Sequence, residues 1–94
     1  MNDFTKAYIE CLRWDRDDVE LSVCELESII DDCNDFQNMA FDLMKHLDAR
    51  QCGHDFYLTR NGHGSGFWDR GYAASIADAL CAICKEFGES YEGA

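Results

Sequence analysis

Apolar side chains recur at helical spacing along most of the chain. Phe4, Ala7, Tyr8, Cys11 and Leu12 stand at i, i+3, i+4, i+7 and i+8, which predicts a short helix from about Asp3 to Trp14. From Val19 the apolar positions Val23, Leu26, Ile30, Cys33, Phe36, Ala40, Leu43, Met44 and Leu47 follow at steps of three and four, with no Gly or Pro between them. This predicts one long helix from Asp18 to Ala49, on the order of 45 Å in length. Asp17 or Asp18 supplies its cap, and Asn34 is the place where a break is allowed. A last stripe, Ile76, Leu80, Ile83, Cys84 and Phe87, predicts a helix from Ala74 to Phe87 stopped by Gly88.

Between the long helix and the last one the pattern changes. Gly53 reads as the end of the long helix. The run Asp55 to Arg60 is rich in aromatic and branched residues, turn chemistry follows at Asn61 to Gly64, and Gly66 to Arg70 reads as a second extended run. Asn61 and Gly62 suit backbone positions with positive φ. A β-hairpin is the expectation, with Arg60, Asn61, Gly62, Gly64, Trp68 and Asp69 as its structural residues and Arg60, Asp69 and Arg70 as cross-strand ion pairs. An isolated hairpin is marginal in water, so it must pack on the helices. The predicted fold is α+β: two N-terminal helices, the second one long, then a hairpin and a C-terminal helix, as a single acidic domain over residues 1–94.

At 94 residues the chain has room for one modest core, and 47% apolar and 13% aromatic residues set it apart from a disordered acidic tail. Nineteen Asp and Glu against eight Lys and Arg give a formal net charge of −11. Thirteen of those acids lie in residues 1–50. Such a field repels nucleic acid and anionic membrane surfaces and speeds encounter with basic partners, so direct nucleic-acid or membrane binding is excluded first. The first residues lack the basic and apolar regions of a signal peptide, and no apolar run reaches membrane-spanning length, so a cytoplasmic protein with reduced thiols is expected.

The acids are also patterned. On a helix turning about 100° per residue, Asp17, Glu20, Glu27, Asp31, Asp35 and Asp42 fall within roughly a quarter turn, opposite the apolar side and flanked by Glu25 and Asp32. Any amphipathic helix shows water a polar face, which accounts for polarity but not for a single sign. No Lys or Arg occurs between Asp17 and Asp42 to make i, i+4 pairs, and like charges at that spacing cost about a few tenths of a kcal/mol each. The stripe is therefore read as a partner-binding element, comprising Asp17, Glu20, Glu27, Asp31, Asp32, Asp35 and Asp42. Carboxylates one helical turn apart loosely resemble the charge of a DNA backbone. A DNA mimic and a ligand for some other basic protein are both open on this ground.

Candidate catalytic chemistry is sparse. His63, on a Gly-rich loop near Asp55, Asp69 and Arg60, could serve as a general base, yet no nucleophile stands at recognisable spacing. Cys81 and Cys84 have zinc-knuckle or redox spacing, with Cys52, His54 and His63 as further donors; Cys84 belongs to the apolar stripe, so buried thiols are the simpler reading. Neither metal, cofactor nor enzymatic activity is expected.

The segment Leu58-Thr-Arg-Asn-Gly-His-Gly-Ser-Gly-Phe-Trp-Asp-Arg-Gly71 resembles a family of small bacteriophage and prophage proteins. The likeness extends to Tyr8, Glu10, Cys11, Trp14, Asp32, Cys33, Phe36, Phe87 and Gly88, while Tyr57 stands where that family more often has Trp. Acidic members of this kind resemble anti-CRISPR proteins that block type I effector (Cascade) complexes. The resemblance implies a DNA mimic in a bacterial host, occupying the PAM-reading, DNA-binding groove of such a complex, with type I-C the expected subtype; a monomer is expected. The alternatives are a phage regulatory module for another basic host protein, and a histidine- or metal-dependent enzyme.

Overall fold

The computed structural model describes residues 2–17, 20–61, 67 and 73–87. The first helix, α1, spans Asp3–Asp15; the Asn2 side chain caps it by accepting from the Thr5 N–H at 3.0 Å. Its inner face buries Phe4, Ala7, Tyr8, Cys11 and Leu12, as the periodicity predicts. After the Arg16 cap, Asp17 takes φ 55°, a left-handed conformation that Asp tolerates better than most residues.

The second helix, α2, spans Val23–Met39. Ser22 accepts from the Glu25 N–H, and the Glu25 carboxylate accepts from the Ser22 N–H, so both orphan donors are satisfied reciprocally. A four-residue turn, α3 (Phe41–Met44), follows, and α4 (Ala49–Arg60) starts where the Asp48 carboxylate accepts from the N–H groups of Arg50 and Gln51. The fifth helix, α5, spans Ala74–Phe87 as predicted and buries Ala77, Leu80 and Cys84.

The core lies where α1 crosses α4. Gly53 faces the Phe4 carbonyl and the Ala7 methyl so closely that a β-carbon there would overlap the Phe4 carbonyl group. Around this crossing packs an aromatic cluster: Phe36 stacks on Phe56 at 4.3 Å between ring centroids, Phe87 meets Phe56 edge-on at 5.4 Å, and Phe4, Tyr8, Tyr57 and Phe67 close the sides.

Several expectations are overturned. The α+β fold is replaced by an all-helical one: Asp55 to Arg60, read as the first hairpin strand, is the second half of α4, and there is no strand among the described residues. Helical period places Cys52, Phe56 and Arg60 on one side at steps of four, and burial of Phe56 and Tyr57 against α1 outweighs their β propensity. Gly53 does not end a helix; it lies inside α4, where the neighbouring backbone leaves no room for a side chain. The other half of the expected hairpin, including Gly62, His63, Gly64, Trp68, Asp69 and Arg70, falls outside the described residues, apart from Phe67.

The long helix from Asp18 to Ala49 is also not formed. It begins later, at the Ser22 capping box rather than at Asp17 or Asp18, and the break comes at Ala40, with φ −100° and ψ 12°, rather than at Asn34. A straight rod of about 45 Å would run past α1, whose 13 residues cover roughly 20 Å, and leave its last turns without a partner. The break lets Leu43, Met44 and Leu47 return to the core. Finally, Val23 was placed on the core face but is 73% exposed; the buried phase of α2 is Ile29, Cys33, Phe36 and Ala40.

Candidate acidic interface

Buried residues define the inner side of α2 and therefore the direction of its acids. At about 100° per residue, Ile29, Cys33, Phe36 and Ala40 gather within about 60°, and the row Glu27, Asp31, Asp35 is centred about 170° from them. All three carboxylates are exposed, and none makes a salt bridge among the described residues. Three further members of the predicted stripe are exposed but sit on other pieces of chain: Asp17 and Glu20 in the link before α2, Asp42 on α3. What was read as one continuous stripe is a row of three on one helix with outliers at both ends.

Two acids of the stretch face other tasks. Glu25 belongs to the capping box, where bonds from the Ser22 backbone and side chain hold its carboxyl below the usual range. Asp32 turns inward, accepting from Arg60 Nη1 at 3.1 Å. Of the carboxylates predicted to meet a partner, Asp32 is the one engaged within the fold among the described residues.

Arg60 is the pin that sets this geometry. Its side chain is 4% exposed. Nη1 also donates to the Tyr8 hydroxyl at 3.2 Å, and Nη2 donates to the Phe87 carbonyl at 3.1 Å. The guanidinium lies over the Phe56 and Phe87 rings, 5.2 and 5.7 Å from their centroids. One buried cation thus ties α4 to α1, α2 and α5. The hairpin across which Arg60 is expected to pair is not formed at residue 60: as a helical residue Arg60 points at the bundle interior, and Asp69 and Arg70 lie outside the described residues. Asn61 ends α4 with φ −98°, not a positive value, and its side-chain amide donates to the Tyr57 carbonyl at 2.8 Å. A second polar contact joins α4 to the end of α1: the Tyr57 hydroxyl donates to Asp15 Oδ2 at 2.7 Å and accepts from Arg16 Nε at 3.2 Å. Burial pushes the Tyr57 phenol well above its ordinary pKa, so it stays a donor.

Four of the six thiols are placed for packing. Cys11, Cys33, Cys52 and Cys84 are buried, Cys81 is half-buried and Cys24 is exposed, all six unbridged. Burial raises Cys33 to about 12 and moves Cys84 upward as well, so neither supplies a thiolate near neutral pH. Among the described residues no group of three or more His, Cys, Asp or Glu side chains is placed to hold a metal ion. No helix among them is long and apolar enough to cross a membrane.

Comparison of the chain with models of known families, with curated proteins and with solved structures gives no match. The Arg60 network lay beyond sequence reasoning, since Asp32 and Arg60 are 28 positions apart. The capping box was legible: Ser22 and Glu25 stand three apart just before a run of apolar positions.

Proposed function

We propose that this chain is a non-enzymatic, stoichiometric inhibitor that presents its acidic face to the basic groove of a nucleic-acid-binding complex and competes there with DNA. The observation that carries the reading is the row Glu27, Asp31, Asp35: exposed, of one sign, without a basic partner among the described residues, and directed away from the core. Its steps rise about 6 Å each, against about 3.4 Å per phosphate along one DNA strand, so the row supplies roughly half a strand's charge density. Asp17 and Glu20 before α2 and Asp42 after it add three more exposed carboxylates. A type I CRISPR effector, with I-C the subtype to examine first, is the partner implied by the resemblance of residues 58–71.

The test is competition. The chain should bind the purified effector, be displaced by duplex DNA carrying the target and PAM, and lose affinity as salt rises from about 50 to 300 mM. Substituting Lys at Glu27, Asp31 and Asp35 together should abolish binding while the circular dichroism spectrum stays helical. Binding that survives this triple reversal rules the reading out. Binding that DNA does not displace assigns the chain instead to regulation of a basic host protein through a surface other than its nucleic-acid site.

A further inference from the structure

Cys81 and Cys84 stand three positions apart toward the end of α5, Cys84 buried in its apolar stripe and Cys81 half-buried beside it against the same core. The two thiols are near enough for charge on one to bear on the other. Helix geometry puts their α-carbons about 5 Å apart, within the reach of a disulfide, but their β-carbons about 5–6 Å apart, against about 3.8 Å in an unstrained bridge. A bond between them therefore draws this turn in.

What the turn carries gives that movement a consequence. Three positions after Cys84, the Phe87 carbonyl accepts from Arg60 Nη2 at 3.1 Å, and the Phe87 ring meets Phe56 edge-on. The same guanidinium holds Tyr8 and Asp32 through Nη1. Displacing Phe87 takes an acceptor from the buried cation that ties the helices together.

We propose that Cys81 and Cys84 are a reversible dithiol–disulfide switch, whose closure under oxidation pulls the end of α5 away from Arg60. The oxidant is a small organic disulfide, RSSR. Cys81, the more accessible thiol, loses its proton and attacks one sulfur, which forms a mixed disulfide at Cys81 and releases RS⁻. Cys84 then loses its proton and attacks the Cys81 sulfur, which forms the internal bond and releases a second RS⁻. The two released thiolates take up the two protons, so the protein thiols give up two electrons and RSSR becomes two RSH. Burial keeps Cys84 protonated at neutral pH, so the second step waits for the helix end to open and is slow. Strain makes the closed bond easy to reduce, which keeps the pair open in a reducing compartment. Nothing in this step depends on the acidic interface.

The experiment treats reduced Cys24→Ser chain, which cannot couple through its exposed thiol, with excess oxidised glutathione; Cys24→Ser/Cys81→Ser is the control. Over hours the first should lose two hydrogens in intact mass and retain no glutathione. Peptide mapping should place the bond between Cys81 and Cys84. A loop of four residues gains little from the cross-link in the unfolded chain, so strain decides, and the melting temperature should fall by about 4–8 °C. Reduced glutathione should restore both mass and melting temperature, and the control should show none of these changes. A glutathione adduct that stays on Cys81, a bond mapped to another pair, or no reaction overturns the proposal. So does a bond that leaves the melting temperature unchanged or resists reduced glutathione, because such a bond is a staple and not a switch.

Discussion

At the scale of single residues, two side-chain positions hold the bundle together by opposite means. Gly53 works by having no side chain, which lets the α4 backbone approach the Phe4 carbonyl. Replacing it with Ala would gain about 1 kcal/mol of helix propensity in an open helix. Here the added methyl meets backbone, which cannot swing aside as a side chain can, and overpacking costs about 1–3 kcal/mol. The overlap is severe enough to put this site at the upper end of that range, so Gly53→Ala should destabilise, lowering the melting temperature by about 5–15 °C. A neutral or stabilising result in a thermal melt would show that α1 and α4 separate at little cost. Arg60 works by reach, satisfying Tyr8, Asp32 and a carbonyl from one planar group between two rings. Neither role is visible in the residue type: a glycine near the end of a predicted helix is read as its stop, and an arginine before a Gly-rich stretch as a cross-strand ion pair.

At the scale of elements, α2 carries both the core contact and the acidic row, and the two pull in different directions. Ile29, Cys33 and Phe36 hold the helix by packing, while Glu27, Asp31 and Asp35 repel one another at successive i, i+4 steps. Asp31 has a like charge on either side. Asp31→Asn should therefore raise the melting temperature, by about 2–4 °C for a few tenths of a kcal/mol per repulsive pair removed. The same substitution should weaken partner binding. Stability and affinity moving in opposite directions is the signature of a row kept for binding, and a substitution that lowers both would mark Asp31 as structural.

At the scale of the molecule, the cysteines report how completely the bundle is packed. In the folded chain a maleimide should label Cys24 fast and Cys81 slowly, and leave Cys11, Cys33, Cys52 and Cys84 untouched, with all six reacting in denaturant. Intact mass and peptide mapping over time separate these classes. Rapid labelling of Cys33 or Cys84 would contradict the burial that raises their pKa values. The net charge of −11 acts at this scale too, since self-repulsion within so small a body is offset by the aromatic core.

Much of this organisation was legible without coordinates. The first and last helices follow from unbroken three-four spacing of Phe4 to Leu12 and Ile76 to Phe87, because local periodicity alone decides which face of an isolated helix is apolar. The acidity of the Asp17 to Asp42 stretch and the exposure of Glu27, Asp31 and Asp35 were likewise readable from residue type and spacing. Where α2 ends, whether residues 55–60 are strand or helix, and which acid turns inward were decided by tertiary structure. Their common cause is that each depends on a partner distant in sequence. Ala40 breaks the helix because the core runs out, Phe56 and Tyr57 are helical because α1 receives them, and Asp32 leaves the acidic face because Arg60 lies buried across from it.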